Sequence, residues 1–167
     1  MSDLQNQPAQ QSAERLENPG TKFNRESLRA QHKAETQQDS PADVANNALE
    51  NVKAGMRPNE LEKKALSLHA AKLQDMSDVV GNASANVKYG MSMDTFEIKN
   101  LQKALGELNG SDLKDTGKLD EATKQQISNY RASQGFKAGN AVDGTLLEDI
   151  ANRLSDKAVE MKDASRK

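Results

Sequence analysis

The chain contains no cysteine and no tryptophan, and its 167 residues include only two histidines, His32 and His69. Without cysteine there is no disulfide framework and no thiolate nucleophile, and the redox compartment stays open. The two histidines sit far apart, with no H-E-x-x-H and no partner histidine at metal-ligand spacing. A zinc or other metal centre therefore has no ligand set, and both are read as ordinary surface or boundary residues. Neither a glycine-rich phosphate loop nor a G-x-S-x-G turn is present. The acidic residues fall at helix caps and on polar faces, not as a sequestered pair of the kind that cleaves glycosidic bonds. A non-enzymatic protein with no cofactor and no metal is expected.

Aromatic residues make up 3% of the chain and apolar residues 35%, so the core must be small and built from Leu, Ala, Val, Ile and Met. No apolar run approaches the roughly 20 residues of a membrane span, so no membrane partner is expected. Net charge is -2 with both signs interspersed, which leaves no clustered basic face for nucleic acid. The opening residues, MSDLQNQP, lack the basic and apolar regions of a secretory signal. The expected location is cytoplasmic, or outside the cell by a leaderless bacterial secretion route.

Four segments are legible. Over residues 1–40, Leu4, Leu16, Phe23 and Leu28 are too widely spaced for a stripe, and Pro19-Gly20 interrupts the segment. It reads as a disordered tail or a leaderless export signal, because so little apolar area cannot offset about 1–2 kcal/mol of backbone entropy per residue.

Residues 41–94 carry an internal repeat. DVANNALENVKAGM (residues 43–56) aligns without gaps over DVVGNASANVKYGM (residues 78–91), at a constant offset of 35, and Glu62 then falls over Glu97 and Leu66 over Leu101. Each copy predicts a helix, a turn and a second helix. Ser40 and Ser77 are expected to cap the first helices, with Pro41 at a first helical position. Val44, Ala48 and Val52, and in the second copy Val79, Ala83 and Val87, form narrow seams. Gly55 and Gly90 are expected to end those helices in the left-handed region, with Met56 and Met91 closing the turns. Asn59-x-x-Glu62 and Asp94-x-x-Glu97 then read as capping boxes. A compact helical extension is preferred to a solenoid fragment, since two copies do not stabilise an array.

Residues 95–156 predict three further helices. The first shows Phe96, Leu101, Leu105 and Leu108 as one stripe, the second turns Ala122, Ile127 and Tyr130 inward, and the third opens at a Thr145-x-x-Glu148 capping box and buries Leu146, Leu147, Ile150 and Leu154. Asp120 is placed to cap the second. Residues 157–167 are read as a fraying helical tail. The fold class is all-α.

The same stretch has a leucine-glutamine helix at Leu101-Gln102, then T-G-K-L-D-x-x-T over residues 116–123, an aromatic at Tyr130, and a V-D-G turn at residues 142–144. From about residue 96 to 154 it resembles the peptidoglycan-binding-like domain, a small three-helix module that accompanies bacterial cell-wall hydrolases. It departs from the family at Tyr130-Arg131, where Phe-Gln is common. The resemblance implies non-catalytic binding of peptidoglycan, with ligand contacts at Asp120, Thr123, Tyr130, Arg131, Asp143 and Gly144. Arg131, one position beyond an inward Tyr130, is expected to face a groove and pair with a stem-peptide carboxylate. Each of the six also has a structural reading: helix cap, turn or core, and for Arg131 a solvated helix face. The alternative function is an α-helical protein–protein adaptor, or a leaderless secreted effector or accessory protein, that uses the same fold without binding the wall.

Overall fold

The computed structural model describes residues 39–167; the segment expected as a tail lies outside the described residues apart from Asp39 and Ser40. Among the described residues there are five α-helices and no strand: α1 (Pro41–Lys53), α2 (Glu60–Lys88), α3 (Thr95–Asn109), α4 (Glu121–Ser133) and α5 (Gly144–Ala164). Residues from Pro41 to Lys167 form one compact unit.

The repeat builds a spine. The second helix of the first copy and the first helix of the second copy are fused into α2, 29 residues and about 43 Å at 1.5 Å per residue. Ser77 therefore does not cap a helix, as the sequence suggested. Nothing between Leu73 and Val80 breaks the helix, and the Ser77 hydroxyl instead donates to the Ala151 carbonyl oxygen of α5 at 2.7 Å. Helix α1 folds back from the N-terminal end of α2 and α3 from its C-terminal end. Their far ends meet beside the middle of the spine, where Asn46 of α1 and His69 of α2 both bond Glu107 of α3.

The two copies end their first helices in the same way, bond for bond. Met56 N–H reaches Asn51 O at 2.9 Å and Gly55 N–H reaches Val52 O at 3.0 Å; Met91 reaches Asn86 and Gly90 reaches Val87, each at 3.0 Å. Gly55 has φ +90° and Gly90 φ +79°, the left-handed region that a β-carbon disfavours. Both following helices open with complete capping boxes, Asn59 with Glu62 and Asp94 with Glu97. A β-carbon on Gly90 would meet nothing within 4 Å, so strain there is purely torsional. Gly90→Val should cost about 1 kcal/mol or more, read as a lower Tm by circular dichroism.

Helix α5 lies along α2 and joins the two parts that the sequence divided at residue 94. Small residues allow a close approach. The Ser84 hydroxyl donates to Gly144 O at 2.6 Å, and a β-carbon on Gly81 would sit 3.7 Å from that of Ala151. The core runs through Leu66, Leu73 and Val80 of α2, Leu101 and Leu105 of α3, Ile127 and Tyr130 of α4, and Leu147, Ile150 and Leu154 of α5.

Several side chains differ from expectation. Helix α5 continues to Ala164 and buries Ala158, Met161 and Ala164, so residues 157–164 are not a fraying tail; the stripe from Leu154 persists through alanines too small to stand out in the sequence. Its cap is Asp143, which accepts from Leu146 N–H, not Thr145. Ala122 is exposed and Thr123 takes the inward position. Phe96 is 62% exposed, and Met56 and Met91 are 53% exposed each. At these helix ends no neighbouring element among the described residues covers the stripe.

Candidate functional site

The six candidate residues do not converge on one surface. Asp120 and Thr123 belong to a staple for the α3–α4 loop. Asp120 caps α4: its Oδ1 accepts from Thr123 N–H at 2.9 Å and from the Thr123 hydroxyl at 2.6 Å, and its Oδ2 accepts from the Thr116 hydroxyl at 2.8 Å. The Thr123 hydroxyl above all, then its N–H and Thr116, holds the Asp120 carboxyl below the usual range. Both hydroxyls, having donated to Asp120, face Gln102 with their lone pairs. Gln102 Nε2 lies 2.9 Å from Thr116 Oγ1, 2.8 Å from Thr123 Oγ1 and 2.9 Å from Lys118 O, while Gln102 Oε1 accepts from Gly117 N–H at 2.9 Å. Gln102 and Thr123 are fully buried. The L-Q and T-G-K-L-D-x-x-T tokens are thus one hydrogen-bonded unit.

Arg131, Asp143 and Gly144 are brought together on the other side of α4. Arg131 is 6% exposed. Its Nε and Nη2 donate to Ala141 O at 3.0 and 2.6 Å, Nη2 to Asp143 Oδ2 at 2.8 Å, and Nη1 to Lys137 O at 3.4 Å. The guanidinium lies 6.0 Å from the Phe136 ring centre. This corrects the expectation that Arg131 faces a groove. Two adjacent faces of α4 are covered, so the turn of about 100° from Tyr130 leads under the 134–143 loop, whose carbonyls need donors. Asp143 uses Oδ1 to cap α5 and Oδ2 to hold Arg131. The Leu146 N–H, then Arg131, keeps its carboxyl low against the opposing effect of burial. Gly144 is packed under α2, where a β-carbon would fall 2.3 Å from Lys88 Cγ and 3.0 Å from Ser84 O.

Tyr130 is 1% exposed, and its hydroxyl donates to Asp149 Oδ2 at 2.6 Å. Burial first, and the Asp149 carboxylate second, push the phenol well above its ordinary range. Arg153 Nε donates to the same oxygen at 3.0 Å.

One polar cluster escaped the sequence. His69, read as a surface or boundary residue, is 7% exposed. Its Nε2 lies 3.0 Å from Glu107 Oε1, which also accepts from Lys157 Nζ at 2.6 Å. Burial works against the Glu107 charge, yet the bonds from His69 and Lys157 hold its carboxyl down to about 2. The available signal was the position of His69 between Leu66, Ala70 and Leu73, on the buried stripe of its helix.

The open surface lies elsewhere. A groove of about 620 Å³ between α2 and α5 is lined by Ser84, Lys88, Tyr89, Glu148 and Asn152 among others, with Lys88 and Glu148 paired. A smaller one of about 250 Å³, lined by Lys124, Ser128 and Asn140 among others, flanks α4. Neither is lined by any of the six candidates. Where α2 turns into α3, Tyr89 is 87% exposed and stands near Met91 and Phe96 in the chain. Among the described residues no three His, Asp or Glu side chains are placed to hold a metal ion, and no helix is long and apolar enough to cross a membrane. No protein-family model, no curated protein and no solved structure matches this chain.

Proposed function

We propose that the protein is a non-catalytic α-helical module that binds another protein through the tip joining α2 and α3. The observation that carries this reading is the exposure of Tyr89, Met91 and Phe96 at 87%, 53% and 62% within one short stretch. Large apolar and aromatic side chains held out in water by a rigid turn are the material of interface anchors. Methionine adds a surface that adapts to its partner. The polar residues that could have served chemistry are engaged with one another: Arg131 with its loop, Gln102 with the α3–α4 staple, Tyr130 with Asp149.

Cell-wall binding is the second reading, supported by the turn and cap tokens that resemble the peptidoglycan-binding-like domain. With Arg131 and Asp143 bonded to each other, its contacts would move to the α2–α5 groove beside Tyr89. One paired experiment separates the two. The chain and a Tyr89→Ser/Phe96→Ser variant are compared for capture of a protein from the source lysate and for sedimentation with purified sacculi. Capture that the double substitution abolishes supports the adaptor. Sedimentation of the unsubstituted chain without such capture supports wall binding instead, and failure in both assays defeats both readings.

A further inference from the structure

Along one side of α2, Leu61 is 71% exposed and Leu68 54%, Lys72 and Asp75 are exposed, and Val79 is half-buried. The gaps between these five are seven, four, three and four residues. They therefore share one stripe of the helix, with the spacing of a coiled-coil seam. Two charges stand in the middle of that stripe. Elsewhere on α2, Lys63 pairs with Glu60 and Asp78 accepts from Gln74. Lys72 and Asp75 have no ion-pair or hydrogen-bond partner among the described residues. They lie three residues apart, but with the lysine first, which reverses the order that pairs within a helix favour.

From Leu68 to Val79 the stripe reads apolar, basic, acidic, apolar. A pattern of this form is complementary to itself only when it is reversed. Laid antiparallel about a two-fold axis between Leu73 and Gln74, two copies set Lys72 against the partner's Asp75, and Asp75 against the partner's Lys72. Leu68 then meets the partner's Val79 on one side of the axis, and the reciprocal contact forms on the other. Laid parallel, the same stripe would set lysine on lysine and aspartate on aspartate. Charge selects one direction, and the leucine and valine supply the apolar contacts that flank it.

We infer that this face of α2 is a self-association surface, through which the protein forms an antiparallel dimer by Leu68, Lys72, Asp75 and Val79. The dimer is weak. From Leu61 to Asn86, its opposite number, the seam runs about 38 Å and is one helix wide, about 10 Å. It covers roughly 400 Å² per copy, half of the roughly 800 Å² per partner of a standard interface. Exposed ion pairs add little affinity, so Lys72 and Asp75 act on direction more than on strength. The seam ends short of Tyr89, Met91 and Phe96, and it places the two α2–α3 tips at opposite ends of the pair.

Sedimentation velocity of the full chain between about 10 and 500 µM tests the inference. The mass should rise from 18.2 kDa toward twice that value, with a Kd of about 100 µM. Lys72→Glu or Asp75→Lys alone should weaken the dimer about tenfold, since each sets like charges opposite one another at two places. Lys72→Glu/Asp75→Lys, which exchanges the two, should restore it. All three alter exposed positions, and circular dichroism checks that the helices are kept. The chain has no cysteine, so introduced thiols report the register. Leu68→Cys/Val79→Cys should oxidise to a covalent dimer. Leu68→Cys alone should not, its two thiols standing about 16 Å apart along the seam. A chain that stays monomeric over that range overturns the inference. So does a dimer whose Kd the single reversals leave unchanged, or one that Leu68→Cys alone cross-links as readily as the double substitution.

Discussion

Arg131→Met should destabilise the fold by about 3 kcal/mol, measured by urea denaturation. The substitution keeps the length of the buried stem and removes the donors for Ala141 O, Lys137 O and Asp143. The Asp143 side chain is 55% exposed, so its charge can return to water, which holds the cost below the 3–5 kcal/mol typical of breaking a wholly buried pair. The Ala141 and Lys137 carbonyls lose their guanidinium donor as well. Asp143 also loses the group that orients it for capping α5, so amide exchange should quicken in residues 134–146 ahead of the rest. Arg131→Lys should recover less than half of the loss, because an ammonium cannot span both Ala141 O and Asp143 as the fork does. A change within about 0.5 kcal/mol, the usual scale of a surface substitution, would return Arg131 to the groove that the sequence suggested.

Gln102→Leu should be comparably costly, again about 3 kcal/mol, although it places a more apolar side chain in a fully buried position. The amide uses both ends. Its oxygen holds Gly117 N–H, and its two N–H donors are shared among Lys118 O and two threonine hydroxyls. Leucine satisfies none of them, and Gly117 cannot retreat easily: it is at φ +71°, and even a β-carbon there would fall 2.5 Å from Thr95 Cγ2. Thr123→Val removes one member of the same network. The double variant should therefore lose less than the sum of the single losses, by about 1 kcal/mol in a double-mutant cycle. Strict additivity would show that the residues act separately.

What the chain disclosed in advance was what short-range geometry decides. Gly55 and Gly90 were legible because a helix end has few solutions and glycine marks one of them. Asn59, Asp94 and Asp120 were legible because a cap needs only the three residues that follow. The continuity of α2 was not, since Ser77 satisfies a local rule for a helix start while a distant carbonyl, that of Ala151, decides its role. Periodicity gave the direction of Arg131 around α4 but said nothing of the loop lying there. His69, Glu107 and Lys157 are 38 and 50 residues apart in successive pairings with Glu107, beyond the reach of any spacing rule. Five of the six site candidates were recognisable as caps, turn and core, while Arg131, readable as a solvated helix face, is buried instead; their ligand roles rested on resemblance.

The fusion of the two repeat copies into α2 has a mechanical consequence. Separate units joined by a flexible loop can drift in length and orientation independently, whereas units sharing one rigid rod are locked in phase. Each residue added to or removed from the middle of α2 would turn everything beyond it by about 100° and shift it by about 1.5 Å, carrying α3 off the face that α1 and α5 also use. Seven residues, two turns, come back to within about 20° of the starting phase. Length in this part of the chain is therefore quantised, and the duplication that produced the spine also removed the freedom of its halves to diverge in size.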